Sequence, residues 1–162
     1  YQCDWSSDVC SSDLKSMATF SFKEFKKEKY EKYAEFHGKI LIIGYGSVGQ
    51  AILPVILRHL VVDPKNITVL ERDNHRQIFI KRHGGSGVNY VREEIKITNY
   101  KKELKKYVGE GDLIINASLN IDARALLEWC AENGVMEIDT SLERWEHHPD
   151  RSEEHTSELQ SH

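Results

Sequence analysis

One hexapeptide, Gly44-Tyr45-Gly46-Ser47-Val48-Gly49, constrains the chain more than any other stretch. It follows an apolar run, Lys39 to Ile43, and opens an amphipathic stretch ending near Leu60. Strand, then G-x-G-x-x-G, then helix is the context in which this spacing signals dinucleotide binding rather than an ordinary glycine turn. Gly44 permits the tight turn, Gly46 lets the backbone approach a pyrophosphate, and Gly49 lets the helix lie close on the strand. The backbone of Ser47 and Val48, at the helix N-terminus, offers free N–H groups and the positive dipole end to phosphates. Glu71 ends the next apolar run, Ile67 to Leu70. It stands about 20 residues past the glycines, where a ribose-binding carboxylate is expected. A carboxylate there favours NAD over NADP, although Arg72 beside it could accept a 2′-phosphate.

The remaining segments repeat the alternation. Lys39–Ile43 is uniformly apolar, as in a parallel strand buried on both faces. A helix is expected over Ser47–Leu60, with Pro54 kinking it or removing one hydrogen bond. Further strands are expected at Ile67–Leu70, Val88–Val91, Asp112–Ala117 and Met136–Asp139. Helices are expected at Asn74–His83, at Thr98–Tyr107 with Thr98 as N-cap, and at Ile121–Asn133 with Asn120 as cap and Gly134 past its end. Phe22, Phe25 and Tyr33 share a helical stripe, so residues 15–37 read as a helical lead-in with a helix over Phe22–Phe36. The pattern predicts an α/β fold, a doubly wound parallel sheet of Rossmann type over residues 38–150. Ligands meet such sheets at the C-terminal ends of the strands. Asn116, Ala117 and Ser118 are therefore placed to meet the cofactor. Glu143 and Trp145, past the last strand, could hold a cationic amine by charge and cation–π contact.

The two ends read differently. Cys3–Leu14 and Arg151–His162 resemble translated sequencing adapter. Back-translated, the C-terminal stretch has a reverse complement that encodes Asp4–Leu14 in another frame. Residues 1–14 and 151–162 are accordingly expected to be non-native tails. The chain has 22 Lys and Arg against 26 Asp and Glu. Without the tails the balance is 21 to 20, which carries no general attraction for nucleic acid or membrane. Cys130 alone would remain, on the apolar side of a helix, where packing is expected rather than chemistry. Adjacent His147 and His148 point apart on an extended chain, so no metal site is expected. No apolar run is long enough to span a bilayer, and a reduced, cytoplasmic setting is expected.

Several phrases together resemble bacterial homospermidine synthases, of the saccharopine dehydrogenase-like group. They are GKILIIGYGSVGQAILPVILRHL, ITVLERD, DLIINAS with IDARALLEWCAENG, and MEIDTSLERW. The resemblance implies tightly bound NAD, oxidation of putrescine to an imine, loss of ammonia, and condensation with a second putrescine. The same NADH would then reduce the Schiff base. It implies that Gly44, Gly46 and Gly49 hold the pyrophosphate and Glu71 the adenosine ribose. Asn116 and Ser118 would line the nicotinamide side. Glu143 and Trp145 resemble the family's D-T-x-x-E-P-W segment near the amine, with Arg144 in place of proline. Family members are several times longer, so an N-terminal cofactor fragment, inactive alone and homo-oligomeric when full length, is expected. Two other classes fit the glycine pattern: a saccharopine dehydrogenase-like oxidoreductase acting on an amino acid, and a non-enzymatic nucleotide-sensing domain.

Overall fold

The computed structural model describes residues 30–145 except 120 and 142. The two expected tails, the start of the lead-in helix, the Asn120 cap and His147-His148 lie outside the described residues. The elements are β1 (Ala34–Glu35), β2 (Ile40–Ile43), α1 (Ser47–His59), β3 (Leu60–Val61), a 3-10 turn (Pro64–Asn66), β4 (Ile67–Glu71), α2 (Arg76–His83), β5 (Asn89–Arg92), α3 (Tyr100–Tyr107), β6 (Leu113–Asn116), α4 (Ala123–Asn133) and β7 (Met136–Asp139). Five strands form one parallel sheet in the order β5-β4-β2-β6-β7. The chain winds outward from β2 to one side through α1 and α2, then crosses to build the other side. This is the doubly wound arrangement, and its switch point lies between β2 and β6.

The alternation within β2 divides the core. Ile40 and Ile42 face one layer, with Leu53 and Ile56 of α1 and Phe79 of α2. Leu41 and Ile43 face the other, with Leu104 of α3 and Leu126, Trp129 and Cys130 of α4. A strand covered on both sides must be apolar throughout, which is why ILII carries no polar position. Cys130 is buried, and burial pushes its thiol up to about 12, as suits packing. No described helix is long and apolar enough to cross a membrane.

Three expectations are corrected. Residues 30–36 are not helical; Ala34–Glu35 pairs in parallel with Leu60–Val61. Long-range contacts override the stripe. Lys32 Nζ donates to the carbonyls of Leu57 (2.8 Å) and Leu60 (2.9 Å), and the Tyr33 ring stacks on His59. The segment thus satisfies carbonyls that the end of α1 leaves without helical partners. Second, α3 begins at Tyr100 with Asn99, not Thr98, at the N-cap. The Asn99 side chain accepts from Lys96 N–H and donates to Glu94 O, folding the chain into the helix. Third, the cap that holds α4 is Asp122, whose carboxylate accepts from Ala125 N–H at 2.9 Å. Helix α1 runs through Pro54 without interruption, and Gly134 ends α4 in the left-handed region (φ 64°).

On β7, Glu137 has both carboxylate oxygens buried without a hydrogen-bond partner among the described residues. Burial, reinforced by Asp139, raises its carboxyl from 4.5 to about 7. The folded state therefore holds this proton more tightly than the unfolded chain does. Its contribution to stability is present at low pH and declines as pH rises from about 4.5 through about 7. Glu137→Gln should raise the melting temperature at pH 8 and lose that advantage towards pH 5. An equal effect at both pH values in thermal melts would contradict a buried, unpaired carboxylate.

Candidate functional site

The site begins where β2 ends. Gly44, at φ 95°, turns the chain against the strand end of β6. A Cβ on it would lie 2.7 Å from the Ala117 carbonyl oxygen, so no other residue fits without displacing backbone. At Gly49 a Cβ would lie 2.1 Å from the Gly44 carbonyl oxygen. That glycine allows the first turn of α1 to sit directly on the loop. Gly46 differs, because a Cβ there would meet nothing within 4 Å. It leaves the outer side of the loop open, as close approach of a pyrophosphate requires. Gly46, Ser47 and Val48 are exposed. Helix α1 starts without a side-chain cap and without an acid in its first turn. Its N-terminal N–H groups therefore face outward with no competing carboxylate, a donor set that suits a phosphate.

Glu71 joins this loop to the next strand. Its carboxylate is buried and accepts from Tyr45 N–H through Oε2 and from Asp73 N–H (2.8 Å) through Oε1. One side chain thus fixes the glycine loop and the turn after β4 together. A carboxylate has about four lone-pair sites, so acceptor capacity for a ribose hydroxyl remains. His75 approaches the same carboxylate, its Nδ1 3.7 Å from Oε2. Tyr45 points the other way, fully buried against Phe79, His83 and Tyr90.

A cleft of about 510 Å³ opens over these strand ends. Of the residues singled out from sequence, Gly44, Gly46, Glu71, Arg72, Ala117, Ser118 and Trp145 line it. Ser47, Val48 and Gly49 sit at its glycine-loop edge, in α1. Asn116 has a different place from the one expected. It is fully buried, and its amide donates to Asp139 while its Oδ1 accepts from the N–H and hydroxyl of Ser118. Its carbonyl accepts from the N–H and hydroxyl of Thr140. Asn116 therefore ties the ends of β6 and β7 and orients Ser118, which lines the cleft in its stead. Glu143 is exposed and outside the lining; its carbonyl accepts from Ala123 N–H at 2.9 Å.

Trp145 reaches the cleft because Asp122 holds it. One Asp122 oxygen caps α4, and the other accepts from Trp145 N–H at 3.0 Å. The indole packs on Tyr100 of α3 with ring centroids 5.2 Å apart. No group of three or more metal-ligating side chains occurs among the described residues. Sequence reading missed Asp73, His75 and the segment Glu93–Ile97, all of which line the cleft. They follow the C-terminal ends of β4 and β5, and the crevice rule, applied to every strand, points to them.

Residues 40–161 match the family model described as the saccharopine dehydrogenase NADP binding domain. The chain belongs to this family. It is 34% identical over 122 residues to homospermidine synthase of Mesorhizobium japonicum, a match covering 73% of this chain. It is 30% identical over 117 residues to homospermidine synthase of Blastochloris viridis, covering 70%. In each case the match spans 24% of the relative's length. Among solved structures, the homospermidine synthase of Legionella pneumophila in complex with NAD matches with a TM-score of 0.62 and 26% identity, over 71% of this chain and 24% of that one. The expected fold class and the homospermidine synthase-like, saccharopine dehydrogenase-type nucleotide-binding domain thus stand.

Gly49→Ala tests the loop directly. A Cβ so close to the Gly44 carbonyl must push α1 off the loop, and the cost should reach about 1–3 kcal/mol, the range for overpacked sites. Nucleotide binding should fall below detection in titration calorimetry, while Gly109→Ala, whose Cβ meets nothing within 4 Å, should leave it unchanged. Undiminished nucleotide affinity in Gly49→Ala would contradict the assigned loop geometry.

Proposed function

We propose that this chain is the NAD-binding domain of a cytoplasmic homospermidine synthase, and that it needs further polypeptide to complete its substrate site. The observation that carries the reading is the glycine loop, held by the Glu71 carboxylate and open on its outer side at the switch point of the sheet. In this reading Gly44, Gly46 and Gly49 shape the cradle, and the N–H groups of Ser47 and Val48 meet the pyrophosphate. Glu71 accepts from the adenosine ribose, and Arg72 lies beside it at the exposed edge. Ala117 and Ser118 lie on the nicotinamide side, after β6.

Bound NAD supplies a hydride acceptor and, once reduced, a hydride donor. The chain's own residues orient and shield. Asn116 holds Ser118 in place through two hydrogen bonds. Trp145 offers an aromatic face to a protonated amine at the cleft edge, and Glu143 adds negative charge nearby rather than direct contact. The substrate class that suits these groups is a diamine such as putrescine, as the names of the relatives also suggest. Because the match covers about a quarter of those relatives, most of the substrate site is assigned to polypeptide beyond it. The full-length protein would be the enzyme and would assemble as a homo-oligomer; the domain alone would bind cofactor without turnover.

Thermal melts with NAD, NADP and putrescine test this. NAD at a hundredfold excess over its Kd should stabilise the fold by about 2.7 kcal/mol, and putrescine alone should not. Adding putrescine and NAD together should give no absorbance of reduced nicotinamide. A folded chain that shifts with neither nucleotide would overturn the cofactor reading. Turnover of putrescine would overturn the incomplete site.

A further inference from the structure

The adenosine end of the cleft carries an unusual charge arrangement. Glu71, Asp73, Glu93 and Glu94 line it, with Arg72 and Lys96 as the cations among the lining residues. Both cations are engaged. Arg72 Nε lies 3.5 Å from Asp73 Oδ1, and its Nη2 donates to Asp73 Oδ2 at 3.5 Å. Lys96 Nζ lies 2.8 Å from Glu94 Oε2. The backbone beneath is also fixed, since the Arg72 carbonyl accepts from Arg92 Nε at 3.2 Å. Asp73 itself is anchored by its N–H, donated to Glu71.

A 2′-phosphate on the adenosine ribose would enter beside Glu71. It would bring about two negative charges into a region where acids outnumber cations. In dinucleotide-binding folds such a phosphate is accommodated by a nearby arginine, and Arg72 holds that position. Its two-point contact, however, already faces the Asp73 carboxylate. Guanidinium–phosphate recognition needs the same donors that this carboxylate engages.

We propose that Asp73 is a nucleotide-specificity residue: by holding the Arg72 guanidinium with its carboxylate, it denies a 2′-phosphate its cation and makes the cleft select NAD over NADP. The proposal rests on the NAD-binding reading above and adds the residue that enforces the choice. Glu71 cannot play that part separably, because its carboxylate also holds the glycine loop. Asp73 is exposed, so it can be changed without opening the core. The matched family model is named for NADP, whereas the similar Legionella pneumophila structure holds NAD, so the fold by itself does not set the choice.

The test is titration of the whole chain with NAD and NADP, and with AMP and adenosine 2′,5′-bisphosphate as probes of the adenosine end alone. The wild-type chain should favour NAD, and AMP over the bisphosphate. Asp73→Ser should raise the NADP-to-NAD affinity ratio about tenfold, the size expected of one additional charge-assisted hydrogen bond. Asp73→Asn, closer in shape, should move the ratio in the same direction. Adding Arg72→Ala to Asp73→Ser should return the ratio towards the wild-type value. Circular dichroism establishes that each variant is folded. A ratio unmoved in both folded Asp73 variants, or a wild-type chain that prefers NADP, would overturn the specificity role while leaving nucleotide binding intact. A folded wild-type chain that binds none of the four compounds would overturn the cofactor reading and this proposal with it.

Discussion

The carboxylate of Glu71 is the contact on which the site depends. Two chain segments meet there, the loop after β2 and the turn after β4, and each sends it a backbone N–H. Hydrogen bonds from N–H groups to an ionised carboxylate are stronger than neutral ones, and a buried carboxylate without them would be costly. The pairing of β2 with β4 brings the strand ends side by side, Ile43 opposite Leu70, so the acid falls one residue beyond the last paired position. Sheet register and loop conformation therefore depend on each other. The loop in turn sets the start of α1, because Gly49 tolerates no side chain against the Gly44 carbonyl.

The second anchor works on the opposite side of the switch point. Asn116 ties β6 to β7, and Asp122 ties α4 to the segment carrying Trp145. Both are buried polar groups whose hydrogen bonds are made, so each specifies one arrangement of otherwise irregular chain. The cleft thus has a rigid wall on either side. One wall carries the glycine loop and Glu71; the other carries Ser118 and Trp145. The Glu93–Ile97 segment, after β5, lines the same cleft.

Local patterns carried most of this into the sequence. All five strands of the main sheet lie within a residue of their expected places; central β2 stands out because a doubly covered strand must be apolar throughout, whereas the edge strands β5 and β7 keep polar residues. The glycines and Glu71 were legible for a related reason: their spacing follows from backbone geometry that few other residues allow. What was not legible depends on distant partners. The stripe of Phe22, Phe25 and Tyr33 suggests a helix, yet Tyr33 and its neighbours pair with the end of α1 instead. Thr98 and Asn99 are both good caps, and a bond to Glu94 decides between them. Asn116 reads as a ligand-facing amide after a strand. Only the register of β6 against β7 shows that Asp139 and Ser118 take its side chain. Asp73 was hidden because the acid two residues earlier already meets the rule.

Amide hydrogen exchange and proton shifts at residues 44–49, measured with and without NAD, test the central claim most directly. If Glu71 holds the loop, the Tyr45 amide is protected and shifted downfield even without nucleotide. The amides of Gly46, Ser47 and Val48 exchange quickly until NAD is added and then slow. A Tyr45 amide that exchanges as fast as its neighbours, or NAD-induced protection that leaves the start of α1 untouched, would contradict the clamp and the site built on it.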